Sequence, residues 1–245
     1  MMRLLVDIGN TNTSIAVVKG KKIIKRYFVH TSKKKGEISS LKRLLRVHID
    51  KIDDILVVSV VPKFLKIIKE SLKKIFPSAV LVVIGKDKKV PIVNRYEKPL
   101  QVGQDRLVTA FAAVKKYGGP LLIIDFGTAV TFDFVNKKGQ YEGGLIFPGM
   151  KLGLSALTRN AALLPKTTLR PIRGLIGRNT RDSINKGVLL GYASLCDGMI
   201  ERVREKYGET LKIVVTGGDS ILIRPYSVHI KTIDKDLIFF GLCQI

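Results

Sequence analysis

The hydrophobic positions of the chain form short runs that are separated by polar or glycine-rich turns. Apolar runs at 3–6 and 14–18 flank a turn rich in Gly and Asn, which predicts two strands with a tight connection, and residues 23–29 predict a third strand. Two further runs, at 55–60 and 79–85, have the length and the branched side chains of buried strands. The start of the chain is therefore expected to form a β-meander within a mixed sheet.

Between the last two runs, the spacing of the apolar residues changes from strand-like to helical. Pro62 is suited to the first turn of a helix, and lysines occupy the positions opposite the apolar ones. This pattern predicts an amphipathic helix that packs one face on the sheet. Its apolar positions are Phe64, Leu65, Ile68, Leu72, Ile75 and Phe76.

The second half of the chain repeats the pattern of the opening. Residues 121–135 align with residues 3–18, so that Asp125 falls on Asp7, with an offset of 118 residues in a chain of 245. An internal repeat at this spacing is what duplication of one lobe would leave.

We therefore expect an α/β fold with two lobes of one type, each a β-meander with helices, around a central cleft. The first lobe is assigned residues 1–115 and the second residues 116–245. The second lobe includes a further strand in residues 212–220, which ends in its own Gly-Gly turn.

The charge of the chain is strongly positive, because 43 Lys and Arg residues stand against 20 Asp and Glu residues and leave +23. A field of this sign attracts nucleic acid, anionic lipid or nucleoside triphosphates without choosing among them. No helix-turn-helix pattern or aromatic-interleaved basic patch accompanies the charge, so a solvated lysine-rich surface is the simpler interpretation and a nucleic-acid partner is not expected.

Cysteine usage and hydropathy add two exclusions. Cys196 and Cys243 form no C-x-x-C pair, which argues against a zinc site or a disulfide framework. The first apolar run is interrupted by Asp7, and no later run approaches the roughly 20 residues of a membrane span. A cytoplasmic protein without a membrane partner is therefore expected.

The repeated acidic glycine turn carries the first candidate chemistry. In residues 7–11 (DIGNT), a carboxylate ends a buried strand, a glycine permits close approach of the backbone, and side-chain donors follow. Such a turn can direct N–H groups at phosphate oxygens while its carboxylate holds a metal ion or its water. A single Asp-x-Gly is also a common turn signal. Because the pattern recurs at Asp125 in the second half, we favour a phosphate clamp made of both turns.

These turns on duplicated lobes resemble those of the acetate and sugar kinase, actin and heat-shock ATPase superfamily. Within it, the chain resembles type III pantothenate kinases along nearly its whole length. The resemblance implies two ribonuclease H-like lobes with an actin-like ATPase fold, and ATP-dependent phosphorylation of pantothenate at the start of coenzyme A synthesis. The motifs that carry it are DIGNT (7–11), VGQDR (102–106), DFGTA (125–129), GGLIFPG (143–149), NTRDSINKG (179–187) and TGG (216–218).

The resemblance assigns the chemical step to Asp105. The aspartate of the G-x-D-R motif is the proposed general base, which takes the proton of the pantothenate hydroxyl as that hydroxyl attacks the γ-phosphorus. Phosphoryl transfer is catalysed mainly by positioning and charge neutralisation, so a carboxylate within hydrogen-bond reach suffices. From the residues alone, Asp105 could equally be an acid at the N-terminus of a helix.

The resemblance also implies the residues that bind substrate. Tyr96 and Thr180 match substrate contacts, although a packed aromatic and a helix N-cap are the structural alternatives. Arg106 offers a planar fork of donors. The pocket is expected to be closed by a second copy of the chain, so a homodimer is implied. The substrate-binding set is Tyr96, Gly103, Gln104, Asp105, Arg106 and Thr180.

The remaining implied residues concern ATP and its cations. Asp125 matches a ligand of a monovalent cation, K⁺ or NH₄⁺, and Asp7 is expected to hold Mg²⁺ through water. The GGLIFPG motif is left open between a structural role and support of the second loop. The ATP-binding set is Asp7, Ile8, Gly9, Asn10, Thr11, Asn12, Thr13, Ser14, Thr128, Gly217 and Gly218.

One departure from the family pattern concerns charge. Many members have a lysine three residues after the threonine of D-x-G-N-T, where this chain has Ser14.

Two other functions remain as alternatives: a nucleic-acid-binding relative of the accessory transcription-factor type, and another small-molecule kinase of the same superfamily.

Overall fold

A computed structural model of the chain describes residues 1–31, 43, 45 and 52–245. The described residues form two compact units. The first unit comprises the described part of residues 1–92 together with 97–112 and 237–245, and the second comprises 93–96 and 113–236. The C-terminal residues therefore belong to the first unit.

The first unit contains a five-stranded mixed sheet with the order β3-β2-β1-β4-β5. The first three strands form the antiparallel meander that the hydrophobic runs predict, while β4 lies parallel to β1 and β5 parallel to β4. Apolar residues of β1 and β4 are almost fully buried, as expected for central strands covered on both faces. The strands are β1 (Met2–Ile8), β2 (Asn12–Lys19), β3 (Lys22–His30), β4 (Asp54–Ser59) and β5 (Val80–Val83).

In the parts of the unit that follow residue 52, the sheet is accompanied by the helices α1 (Pro62–Ile75), α2 (Gln104–Tyr117) and α6 (Leu237–Gln244). The last residues of α2 pass into the second unit. The predicted amphipathic helix is α1, which buries Phe64, Ile68 and Leu72 in the core of the unit. Gly241 of α6 lies so close to α2 that a Cβ atom there would be 2.7 Å from Val108 O.

The second unit contains a four-stranded mixed sheet with the order β8-β7-β6-β9. Its antiparallel meander and its parallel neighbour β9 match β3-β2-β1-β4 of the first sheet, which confirms the predicted duplicated α/β fold. The strands are β6 (Leu121–Phe126), β7 (Ala129–Val135), β8 (Tyr141–Pro148) and β9 (Lys212–Thr216), and the helices are α3 (Met150–Asn160), α4 (Thr180–Tyr207) and α5 (Ser220–Ile223).

The two hairpins differ in length. Asp7 pairs with Ser14 across β1 and β2, whereas Asp125 pairs with Thr131 across β6 and β7. The second turn is therefore one residue shorter than the first, and the offset of 118 residues holds for the strand that leads into each turn but not for the strand that returns. Among the helices of the described residues, none is long and apolar enough to cross a membrane.

Candidate active site

The first acidic turn connects β1 to β2 and is closed by its own backbone. Gly9 N donates to Asn12 O at 3.0 Å, and a Cβ atom at Gly9 would lie only 3.1 Å from the same oxygen. Asn10, Thr11 and Asn12 are exposed at the tip. The glycine therefore keeps the turn tight, and the polar residues that follow it are exposed.

Thr31, which sequence reasoning missed, fixes this turn from the end of β3. Its hydroxyl donates to Gly9 O at 2.7 Å and lies 3.0 Å from the hydroxyl of Thr13, and its backbone N–H donates to Thr11 O at 2.8 Å. A threonine two residues beyond a predicted strand carries no motif, so only the pairing of β2 with β3 could have revealed it.

Two of the residues assigned to ATP have buried side chains, and a third is half-buried. Ile8 and Thr13 are fully buried, so contact of either residue with a nucleotide would be limited to its backbone. Ser14 is half-buried and lies opposite Asp7 in the hairpin. The side chains of Ile8 and Thr13 therefore pack within the hairpin, and binding of ATP by these two residues stays a prediction for their backbone atoms.

The segment that carries Asp105 lies beside the first turn, within the same unit. Val60, the residue after β4, donates its N–H to Ile8 O at 3.1 Å, and its Cγ1 atom would be 3.4 Å from a Cβ atom at Gly103. Asp105 follows in the first turn of α2, so it is an acid at a helix N-terminus as well as a candidate base. The fold thus brings Asp7, Gly103 and Asp105 to one end of the first sheet.

The carboxylate of Asp105 is half-buried against Gly103, where any Cβ atom would overlap Asp105 Oδ1. Burial raises the pKa of this carboxyl above its ordinary value, against the opposing effects of Arg106, whose N–H donates to Asp105 Oδ1 at 2.8 Å and whose charge lies nearby. A carboxylate with a raised pKa holds a proton more readily, which suits a general base.

The side chains next to Asp105 differ in their surroundings. Gln104 packs over Gly85, where a Cβ atom would be 2.5 Å from Gln104 Cδ, so this side chain is engaged within the first unit. Arg106 is half-buried.

The second acidic turn connects β6 to β7 and is tied to two other segments of its unit. Gly127 N donates to Ala129 O at 3.0 Å, and Gly149 N donates to Thr128 O at 3.0 Å. A Cβ atom at Gly149 would overlap the Thr128 carbonyl and lie 2.5 Å from Gly127 O. The last glycine of GGLIFPG therefore supports the second turn.

The Gly-Gly turn after β9 lies against the same acidic turn. Gly217 has a φ of 89°, which favours glycine, and a Cβ atom there would overlap Asp125 Oδ1 and lie 2.5 Å from Phe126 N. Ser220 donates its hydroxyl to Gly217 O at 2.7 Å, and Asp219 donates its N–H to Phe126 O at 3.3 Å. Asp125, Thr128, Gly217 and Gly218 are thus brought together in the second unit.

Tyr96 belongs to the second unit, whereas Gly103 and Asp105 belong to the first. Its ring is half-buried against Gly143 of β8, where a Cβ atom would lie 3.2 Å from the ring. Gly143 has a φ of 131°, so the start of GGLIFPG is a close-packing site for this aromatic ring. The packed-aromatic alternative is therefore supported by this contact, while the ring keeps partial exposure to solvent.

Thr180 begins α4 but is not its N-cap. Asn179 holds that position, and its side-chain oxygen accepts from Asp182 N at 3.0 Å. The N-cap alternative for Thr180 is therefore wrong, because the cap lies one residue earlier. The hydroxyl of Thr180 is on an exposed residue and is available to other partners.

The carboxylate and carbonyl oxygens at the two acidic turns suit cation sites in which the protein supplies only a few of the ligands. Within residues 1–31, 43, 45 and 52–245, no three His, Cys, Asp or Glu side chains cluster in a way that could hold a metal ion. Asp7 and Asp125 are single half-exposed carboxylates at strand ends, which fits Mg²⁺ bound by one carboxylate, water and substrate phosphates. Backbone carbonyls adjoin Asp125 in the second turn, which fits a large monovalent cation.

Comparisons with known proteins agree with one another. A family model described as type III pantothenate kinase matches residues 3–202. A type III pantothenate kinase from Persephonella marina is 39% identical over 228 residues, which cover 91% of this chain and 89% of that protein. One from Syntrophotalea carbinolica is 37% identical over 247 residues, with 98% and 96% covered.

Among solved structures, a Baf family transcriptional activator from Campylobacter jejuni is similar to the whole chain. The TM-score is 0.62, with 98% of this chain and 96% of that chain covered, and the identity is 21%. At this identity the likeness shows a shared fold, and it carries no inference about transcription.

Proposed function

The chain belongs to the type III pantothenate kinase family, the enzymes that phosphorylate pantothenate for coenzyme A synthesis, and from this premise we propose that Asp105 is the general base of the reaction. The single observation that carries the proposal is the burial of the Asp105 carboxylate beside Gly103, next to the first acidic turn. A carboxylate so placed has a raised pKa and is therefore a better proton acceptor than a solvated aspartate.

In the proposed step, the pantothenate hydroxyl attacks the γ-phosphorus of ATP and gives its proton to Asp105. The new oxygen–phosphorus bond forms as the bond from the γ-phosphorus to its bridging oxygen breaks, and ADP leaves with the electron pair. The protein contributes by positioning these atoms and by offsetting developing charge. Asp105 then returns the proton to solvent.

The two acidic turns bind ATP in this proposal. Donors at the exposed tip of the first turn, Asn10 to Asn12, face phosphate oxygens, while Thr31 holds the turn in shape. In the second unit, Thr128 binds phosphate and the turn at Gly217 and Gly218 borders the adenosine. Support comes from the close contact of Gly217 with Asp125, which joins the two parts of the nucleotide site.

Cations are assigned to the single carboxylates of these turns. Asp7 would hold Mg²⁺ through water and Asp125 would ligate K⁺ or NH₄⁺, and the ions would offset the negative charge of the phosphates when bound. The residues themselves act as oxygen donors at the ends of β1 and β6, where each carboxylate is half-exposed.

Pantothenate binding is assigned to Tyr96, Gly103, Arg106 and Thr180, with the pocket completed by a second copy of the chain. The exposed apolar side chains just before Thr180 support such a dimer, since Leu175 and Ile176 are 71% and 72% exposed. The proposal includes a cytoplasmic location, where ATP is supplied.

The experiment is an assay of pantothenate-dependent ADP release by the purified chain, with Mg²⁺ and with or without K⁺. We expect turnover that needs pantothenate and increases with K⁺. Absence of pantothenate-dependent release under both conditions rejects the proposal, and salt-sensitive retention of duplex DNA without turnover would favour the nucleic-acid-binding alternative. ADP release with a different hydroxyl compound would favour another kinase of the superfamily.

A further inference from the structure

One lysine of the second unit lies at the edge of the proposed nucleotide site and matches no motif. Lys151 is the second residue of α3, and its ammonium is 2.6 Å from Asp219 Oδ1, in the turn after β9. The Lys151 side chain is 71% exposed, whereas that of Asp219 is 15% exposed. The carboxylate is therefore the fixed member of the pair, and the lysine is the member that can move.

Both ends of this pair are attached to the second acidic turn. Gly149, just before α3, donates its N–H to Thr128 O at 3.0 Å, and Asp219 donates its N–H to Phe126 O at 3.3 Å. The backbone on each side of the pair is thus fixed to residues 126–128. The ion pair therefore joins two segments that are each hydrogen-bonded to the loop proposed to bind phosphate.

Neither acidic turn supplies a cationic side chain of its own, because residues 7–14 and 125–131 contain no Lys or Arg. We propose that Lys151 binds the phosphates of the nucleoside triphosphate and that Asp219 is a positioning residue which holds the lysine ready. This inference rests on the proposed function only in that the second acidic turn binds ATP. It names a residue for which the motifs of the sequence give no role.

The exchange of partners is energetically reasonable. An ion pair with a largely exposed lysine contributes little to stability, because solvent screens it and the long side chain loses entropy. A triphosphate carries more negative charge than one carboxylate, so the ammonium should prefer the triphosphate when ATP is present. The alternative is a structural role, in which the pair only fastens α3 to the turn after β9.

Binding of ATP, ADP and adenosine to Lys151→Met protein, measured by calorimetry without pantothenate, separates these roles. We expect the affinity for ATP to fall about tenfold, as for loss of one charge-assisted contact, with adenosine affinity changed less than about twofold. The melting temperature should stay within about a degree of that of the unaltered protein. Lys138→Met, in the turn between β7 and β8, is the matched control and should change none of these values.

The same binding measurements on Asp219→Asn test the proposed positioning role of Asp219. This substitution should weaken ATP binding less than Lys151→Met does, and the double variant should bind ATP no more weakly than Lys151→Met alone, because both act through one ammonium. Unchanged ATP affinity in Lys151→Met, or equal losses for ATP and adenosine, would overturn the inference. If one of these two outcomes is found and the unaltered protein still phosphorylates pantothenate, the proposed role of Lys151 is rejected and the proposed function stands. If the unaltered protein binds no nucleotide, the role of Lys151 and the proposed function fail together.

Discussion

Gly103 lies directly against the carboxylate of Asp105, so closely that no side chain can replace its hydrogen without overlapping Asp105 Oδ1. The glycine in the G-x-D-R motif therefore shapes the position of the candidate base rather than only the path of the backbone. The next neighbour, Val60 Cγ1, would be at an ordinary contact distance of 3.4 Å from an added Cβ atom, so the carboxylate is what must move.

Gly103→Ala should therefore displace the carboxylate and lower kcat/KM for pantothenate by about 100-fold, since a misplacement of about 1 Å in a reacting group has effects of this size. Steady-state kinetics with varied pantothenate at saturating ATP measure this change in kcat/KM.

Gly198→Ala is the matched control for that substitution, because nothing lies within 4 Å of its added Cβ atom and Gly198 is inside α4. It should retain activity and raise the free energy of unfolding by about 0.5–1 kcal/mol through helix propensity. Equal activity of Gly103→Ala and the unaltered protein would contradict the inferred contact.

Asp105→Asn should raise the melting temperature at neutral pH. Because burial raises the pKa of this carboxyl, its contribution to stability is fully present below the ordinary carboxyl pKa and is lost as pH rises through the raised native pKa. Asparagine does not ionise, so the stability of the variant does not decrease in this way as pH rises. Melting curves should therefore show the two proteins converging as pH falls toward about 4. A variant that is less stable than the parent at pH 7 would show that the charge is favourably bound.

Thr180 and Asn179 should respond differently to alanine. Asn179→Ala removes the N-cap of α4 and should lower the free energy of unfolding by about 1 kcal/mol. Thr180→Ala should leave stability unchanged and raise KM for pantothenate, with KM for ATP unaffected. Chemical denaturation and initial-rate kinetics on both variants provide the comparison, and a Thr180→Ala protein with parental kinetics would remove this residue from the substrate site.

Thr31→Val should loosen the first acidic turn. The substitution preserves shape but removes the hydroxyl that donates to Gly9 O, so stability should fall by about 1 kcal/mol and KM for ATP should rise severalfold. Since Thr31 is assigned no contact with pantothenate, KM for that substrate should be constant. An unchanged KM for ATP would show that the turn keeps its shape without Thr31.

The sequence predicted the architecture because strand period, helix spacing and an internal repeat are properties of local residues. The alignment of Asp125 with Asp7 led directly to two sheets of matching order. The shorter second hairpin was not inferred, because a one-residue deletion in a turn does not disturb the apolar pattern on either side of that turn. Likewise, motif matching placed Ile8 and Thr13 with their exposed neighbours, although alternation along a strand buries them.

The candidate site was predicted less completely, because contacts between distant segments have no local signal. Thr31 acts through pairing of β3 with β2, and Lys151 through an ion pair with a residue 68 positions away. Asn179 and Thr180 are adjacent in one motif, and both residue types are common at helix N-caps. Only the hydrogen bond from Asp182 N to the Asn179 side chain identifies Asn179 as the cap. Residue types and motifs predicted which side chains take part in the chemistry, whereas the side chains that support them could be identified only in the folded structure.

The most direct measurement is the rate of 4′-phosphopantothenate formation, followed by phosphorus NMR, for the unaltered protein and for Asp105→Asn at saturating ATP and pantothenate. We expect the unaltered chain to form the product and the variant to be slower by about 100-fold to 10,000-fold, the usual contribution of a general base. Product formation at an undiminished rate by a folded Asp105→Asn protein would contradict the assignment of Asp105 as the base.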